Sequence, residues 1–257
     1  MIELWQWPIL FGTGLAAGFV DSIAGGGGLI SLPVLLSCGL DPRLALGTNK
    51  LQGTFGSASA AWHYTVAGTV PWRDCVRGFC LTFIGSVAGV LTVQQIDPSL
   101  LRKIIPVMLV VIAVFVWFRP RLGAHDLAPR LARGWFDVLA GLGLGFYDGF
   151  FGPGAGTFWA IALVVALGFN LTKATGYTKA MNFASNLGSL IFFVLAGQVL
   201  FVAGLTMGLG QLLGAQVGAR MVVKRGTGFI RPVFLIVVLA ITAKLIYDAY
   251  FIAGNWR

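Results

Sequence analysis

The sequence predicts an all-α polytopic membrane protein of two homologous repeats, inverted relative to each other. Each repeat is a glycine-broken, re-entrant hairpin followed by three transmembrane helices. Three observations predict this. Hydrophobic residues make up 57% of the 257 residues and DEKR residues only 11%, against about 25% charged residues in a soluble domain. Short motifs recur at a nearly constant offset. Each copy contains an apolar segment too short to cross a bilayer.

The composition leaves too few charges to keep such a surface in water, so lipid is the natural solvent. A spanning helix takes about 20 apolar residues, so the chain has room for about eight to ten hydrophobic helices and no sizeable soluble domain. The net charge of +9 does not indicate nucleic-acid binding. The Arg and Lys residues sit in short loops between apolar runs, as the positive-inside rule produces. Cys38, Cys75 and Cys80 are scattered and lack metal-ligand spacing. The start, Met1-Ile2-Glu3, has no basic n-region, so residues 5–22 are expected to be a retained first helix.

The repeat is read from the offsets. Gly18-Phe19-Val20-Asp21 recurs as Gly145-Phe146-Tyr147-Asp148, 127 residues later, and Gly25 and Gly27 match Gly152 and Gly154. The offset then becomes 129: Lys50 falls on Lys179, Gly68 on Gly197, Gly85 on Gly214, Gly89 on Gly218 and Arg102 on Arg231. The repeats are assigned to residues 1–120 and 132–257, joined by a polar linker at 121–131 with flanking residues from Arg119 to Arg133.

Each repeat begins with an apolar helix, about 5–22 or 132–149. A break follows, Gly25-Gly26-Gly27-Gly28 or Gly152-Pro153-Gly154-Ala155-Gly156. A short apolar segment comes next, about 29–38 or 157–168. Three longer helices complete the repeat, at about 44–67, 73–95 and 99–118, then 172–196, 199–222 and 229–252. Eleven helical residues cover about 17 Å, roughly half of the ~30 Å hydrocarbon core. The short segment either completes an interrupted span or returns as a hairpin to the side it entered from. Under the hairpin reading, eleven loop Arg and Lys residues lie on one side and four on the other; under the interrupted-span reading the split is eight to seven. The positive-inside rule favours the hairpin. Both termini then face outward and the linker is cytoplasmic.

The candidate site lies at the breaks. A run of glycines cannot hold a helix in lipid, and freed backbone groups survive at that depth only inside protein or against water. Breaks of this kind form midplane sites in secondary transporters, where the half-helix N-terminus attracts an anion. Close helix packing is the plainer explanation of the glycines. Asp21 and Asp148 each precede a break by four residues. With Lys50 and Lys179 they would cost on the order of 10–14 kcal/mol if left unpaired in the membrane. Asp–Lys pairing is therefore the economical reading. The functional reading makes the lysines anion contacts and Asp21 or Asp148 a carrier for the coupling proton, and the two readings can coexist. Around them lie Ser22, Gly25, Gly26, Gly27, Thr48, Asn49 and Gln52 in the first repeat. The second supplies Gly152, Gly154, Thr157, Thr178, Asn182 and Asn186. Asn182 and Asn186 share one helix face at i, i+4. Such residues also serve as interhelical glue. His63 reads as part of an interfacial aromatic belt, His125 as solvated in the linker, and Lys244 as snorkelling or paired with Asp248. No nucleophile-base spacing, P-loop ending or metal-ligand cluster stands out.

At these residues the chain resembles the TauE/SafE sulfite exporter family. The resemblance rests on Gly18 through Gly28 with Leu46-Gly47-Thr48-Asn49-Lys50, and on Tyr147 through Gly154 with Thr178 through Asn186. The second set is especially similar to the YfcA-like branch. The resemblance covers nearly the whole chain. It implies a multi-pass bacterial inner-membrane transporter, an exporter of small anions such as sulfite or organosulfonates like sulfoacetate, with no cofactor.

The expected function is secondary transport of a small anion by alternating access at a midplane site between the repeats. The expected partners are that anion, membrane lipid and a coupling proton or sodium ion, with no nucleic acid; a homodimer is one option for the assembly. An anion channel, a transporter of another solute, an intramembrane enzyme and a structural subunit are the competing classes. The enzyme lacks clustered His, Cys or Asp residues. The structural subunit would be a costly use of matched intramembrane charges.

Overall fold

A computed structural model of the protein describes residues 3–118 and 126–225. Helix is the only regular secondary structure among them. In chain order the α-helices are α1 Gln6–Ala24, α2 Gly28–Ser37, α3 Pro42–Val66, α4 Val76–Val93, α5 Pro98–Phe118, α6 Arg133–Phe150, α7 Ala155–Leu167, α8 Leu171–Leu195 and α9 Phe201–Arg225. The last helix expected from the sequence, 229–252, lies outside the described residues. So do Arg231, Lys244, Asp248, and residues 119–125 of the linker, including His125.

Local chemistry sets the helix starts. Pro42 occupies the first turn of α3, and the Asp41 carboxylate accepts the Arg43 N–H at 3.0 Å. Asn170 caps α8 in the same way, accepting the Lys173 N–H at 3.0 Å. Both caps start their helices slightly earlier than hydropathy alone suggests. α4 begins at Val76, later than the expected 73, because a 3-10 turn at Trp72–Asp74 comes first.

The two breaks depend on glycine. α1 ends at Gly25 with φ +69, and Gly152 and Gly154, between α6 and α7, have φ +97 and +83. Other residues avoid this left-handed region at a cost of about 1–2 kcal/mol. Gly27 lies against the Ala17 carbonyl and the Asp21 side chain, so α2 starts beside the last turns of α1.

α1 packs along α9, and α6 along α4; α3 and α8 pack on each other and reach α9 and α4 respectively. Small residues let these helices touch backbone to backbone. A Cβ on Gly14 or Gly18 would overlap the Met207 or Gln211 carbonyl, and one on Gly210 or Gly214 would overlap Phe11 or Leu15. On the other pair, Gly85 and Gly89 meet Leu142 and Phe146, while Gly145 and Gly149 meet Thr82 and Ser86. Such contacts replace the hydrophobic drive that is absent between helices in lipid.

The outer surface is apolar. Leu205, Leu209, Leu213 and Val217 form an exposed stripe at i, i+4 on α9, and Val107, Val111 and Phe115 are exposed on α5. Among the described residues, Val76–Val93 and Phe201–Lys224 are helices long and apolar enough to cross a membrane. α2 and α7 are shorter apolar helices. This inside-polar, outside-apolar arrangement is that of a helical membrane protein.

Candidate functional site

The four intramembrane charges form two ion pairs, and each joins distant parts of the chain. Lys50 on α3 reaches Asp148 on α6, with Nζ 2.6 Å from Oδ1. The same ammonium donates to the Asp148 backbone carbonyl. Lys179 on α8 reaches Asp21 on α1 at 2.9 Å. Both lysine side chains are at most 1% exposed. Buried charges of this kind survive only when paired and hydrogen-bonded.

The aspartates differ in their remaining partners. Asp148 also accepts from the Ser185 hydroxyl. Asp21 accepts two backbone N–H groups at the break, from Gly26 and Gly27, each at 3.1 Å. The Asp21 side chain is 16% exposed and that of Asp148 5%.

Between the breaks lies a cavity of about 40 Å³, lined by Asp21, Lys50, Gln52, Asp148, Asn182 and Gln211 among others. That is room for about three waters or an ion of similar size. Gly26, Gly152 and Gly154 from the breaks also line it, with Asn49 and Asn186. Gly152 sits directly beside the Lys50 ammonium. α7 begins at Ala155 and α2 at Gly28, so both short helices present their N-terminal ends to this space. Those ends carry partial positive charge. The lining itself carries two aspartates and one lysine, with Lys179 paired to Asp21 from behind.

Several sequence-predicted residues sit beside the cavity and hold its walls. Thr157 donates to the Gly25 carbonyl at 2.7 Å, tying the two breaks where Gly25 abuts Gly156. Ser22 donates to Phe19 and packs under Gly218. Gly27 lies against α1. Thr178 donates back to Ala174 within its own helix. Lys179 stands behind Asp21 and is not part of the lining. Thr48 accepts the Leu200 N–H at 3.0 Å and so satisfies a donor at the start of α9. Thr48→Val is expected to cost about 1–3 kcal/mol by orphaning that N–H, read as a lower melting temperature in detergent with no change in ligand affinity.

Asn49 lines the cavity but is spoken for: its Oδ1 accepts from Ser31 at 2.6 Å and from Gln52 at 2.7 Å. Asn186 donates weakly to Ser57 at 3.4 Å and rests on Gly53. Sequence reasoning missed Gln211, Ser185 and Gly53 as site residues. Gln211 had a signal: it is one of two carboxamides, with Gln216, in the glycine-rich apolar run of α9.

His63 belongs to a different place. Its Nε2 accepts from Arg220 at 3.2 Å at the end of α3. No group of His, Cys, Asp and Glu able to hold a metal occurs among the described residues.

Fold and site together define a helical membrane protein with a small, charge-balanced polar cavity between broken helices. A family model described as "Sulfite exporter TauE/SafE" matches residues 10–245. The chain belongs to that family. It is 43% identical to the Escherichia coli (strain K12) "Probable membrane transporter protein YfcA" over 242 residues, covering 94% of this chain and 90% of the relative. It is 45% identical over 240 residues to a "Probable membrane transporter protein" of Haemophilus influenzae, covering 93% and 94%. The Bacillus subtilis "Probable membrane transporter protein YunE" is 24% identical over 268 residues. These names describe transport and not catalysis. No solved structure matches the chain.

Proposed function

We propose that the protein is a secondary transporter that exports a small anion, such as sulfite or an organosulfonate, by alternating access at the cavity between two inverted repeats. The observation that carries this reading is the pair of crossed salt bridges. Lys50 and Asp148 come from opposite halves of the chain, as do Lys179 and Asp21. The site therefore spans the boundary along which the halves would rock. The matched packing of α1 on α9 and α6 on α4 supports two equivalent units, and the return of α2 beside α1 supports the re-entrant hairpin. The units are residues 1–120 and 132–257, with a cytoplasmic linker at 121–131, both termini outside, in a bacterial inner membrane.

The mechanism follows from charge balance. With both pairs closed the cavity is neutral. An arriving anion takes the ammonium of Lys50, with the amides at the starts of α2 and α7 as further donors. Asp148 then loses its cation in a buried site, and uptake of a proton by the carboxylate restores neutrality. Asp21 plays the same part opposite Lys179. Anion and proton cross together and closing the pair expels both, so export runs down the anion's own gradient and an inward proton gradient opposes it; a sodium ion could stand in for the proton in the same balance.

Proteoliposomes loaded with labelled sulfite or sulfoacetate test this. Saturable flux is expected, accelerated by a proton gradient directed the same way as the anion. The double variant Lys50→Met, Asp148→Asn removes both charges together and should lower flux at least about tenfold. Unchanged flux would sink the site assignment, and a non-saturating conductance would favour a channel.

A further inference from the structure

We infer that the groove between the ends of α3 and α9 holds an anionic phospholipid, its phosphate on Arg220 and Lys224 and an acyl chain along the apolar wall. The inference concerns the outer surface and is independent of the transport reading. The groove has a volume of about 360 Å³ and is lined by Trp62, His63, Val66, Arg220, Val223 and Lys224 among others. α3 ends at Val66 and α9 at Arg225, so the groove lies at one end of this helix pair. That is the depth of lipid headgroups, where tryptophan is enriched. Trp62 and Val66 are each 68% exposed and Val223 43%, so the apolar wall faces outward to lipid.

The basic groups are free to take an anion. Arg220 and Lys224 share one face of α9 at i, i+4. Arg220 Nε donates to His63 Nε2 at 3.2 Å, which fixes the guanidinium at the groove. Among the described residues, neither Arg220 nor Lys224 meets a carboxylate. A guanidinium so held still offers its outer N–H groups to phosphate oxygens, and the lysine adds a point charge.

The repeat supplies the comparison. The offset of 129 sets Trp62 on Ile191, His63 on Phe192, Val66 on Leu195, Arg220 on Leu91 and Lys224 on Gln95. These partners lie on α8 and α4, which pack on each other as α3 and α9 do. Ile191, Leu195 and Leu91 are exposed as well, but the aligned positions carry no cation. Packing of the helix pair therefore requires neither Arg220 nor Lys224. Charge stands at one of two equivalent places. An apolar wall that ends in two unpaired cations fits a molecule with an acyl chain and a negative head, and a free phosphate would leave the wall unused. Basic pockets between helices at a membrane surface take such headgroups.

The test is thermal melting of the purified protein in uncharged detergent with phosphatidylglycerol, phosphatidylcholine or inorganic phosphate added. Native mass spectrometry reads the lipid retained. Phosphatidylglycerol is expected to raise the melting temperature and to be retained, and the other two are not. Arg220→Gln with Lys224→Gln should weaken phosphatidylglycerol binding at least about tenfold. Both side chains are exposed, so the lipid-free melting temperature should hold. Arg73→Gln with Arg77→Gln removes the same charge from other exposed positions and should leave binding intact. Equal stabilisation by phosphatidylcholine would overturn the inference, as would equal losses in the two double variants, which would mean diffuse attraction. Inorganic phosphate matching the lipid would make this a free-anion site and overturn the lipid assignment.

Discussion

Lys50→Ala is expected to destabilise the folded protein by about 3–5 kcal/mol, because it leaves the Asp148 carboxylate buried without a cation. Lys50 is 1% exposed and the Asp148 side chain 5%, so little water reaches the orphaned charge. Adding Asp148→Asn should recover most of the loss. Replacing both members of a buried pair is often neutral, whereas removing one is not. The measurement is a double-mutant cycle of thermal melts in detergent. Equal destabilisation by the single and the double variants would mean that the pair is not coupled as its geometry states. The cycle also separates stability from transport, since the double variant is expected to fold well and move little anion.

The second large effect lies at the contact between α1 and α9. Gly214→Val is expected to push α9 away from α1, since even a Cβ at this position would overlap the Leu15 carbonyl. Overpacking of this kind costs about 1–3 kcal/mol, and more where backbone meets backbone. Gly143→Ala is the internal control. Nothing lies within 4 Å of a Cβ at Gly143, and alanine there should be neutral or gain up to about 1 kcal/mol of helix propensity. Equal melting temperatures for the two variants would contradict the close helix contact.

Much of this molecule is legible in the sequence where the signal is local. The two glycine breaks, the short α2 and α7 and the two Asp–Lys sets are visible because lipid penalises each departure from an apolar helix. Other features are invisible for an equally physical reason. Lys50 and Asp148 are 98 positions apart and Lys179 and Asp21 are 158 apart, and no local pattern says which lysine meets which aspartate. Thr48 and Thr157 read as site residues from their neighbourhood, yet their hydroxyls are used across helices to hold α9 and Gly25. Gln211 hides because nothing local separates it from Gln216 on the same glycine-rich helix until Gly56 is seen making room for it.

The crossed salt bridges also set a schedule for the chain's own birth. Asp21 enters the membrane 158 residues before Lys179 is made. At about 5–20 residues per second of synthesis, that is roughly 8–32 s during which the nascent carboxylate has no counterion. Lys50 waits in the same way for Asp148. The N-terminal half thus cannot close its native ion pairs until the C-terminal half arrives. Quality control would see a stalled or truncated chain as one with bare charges in lipid.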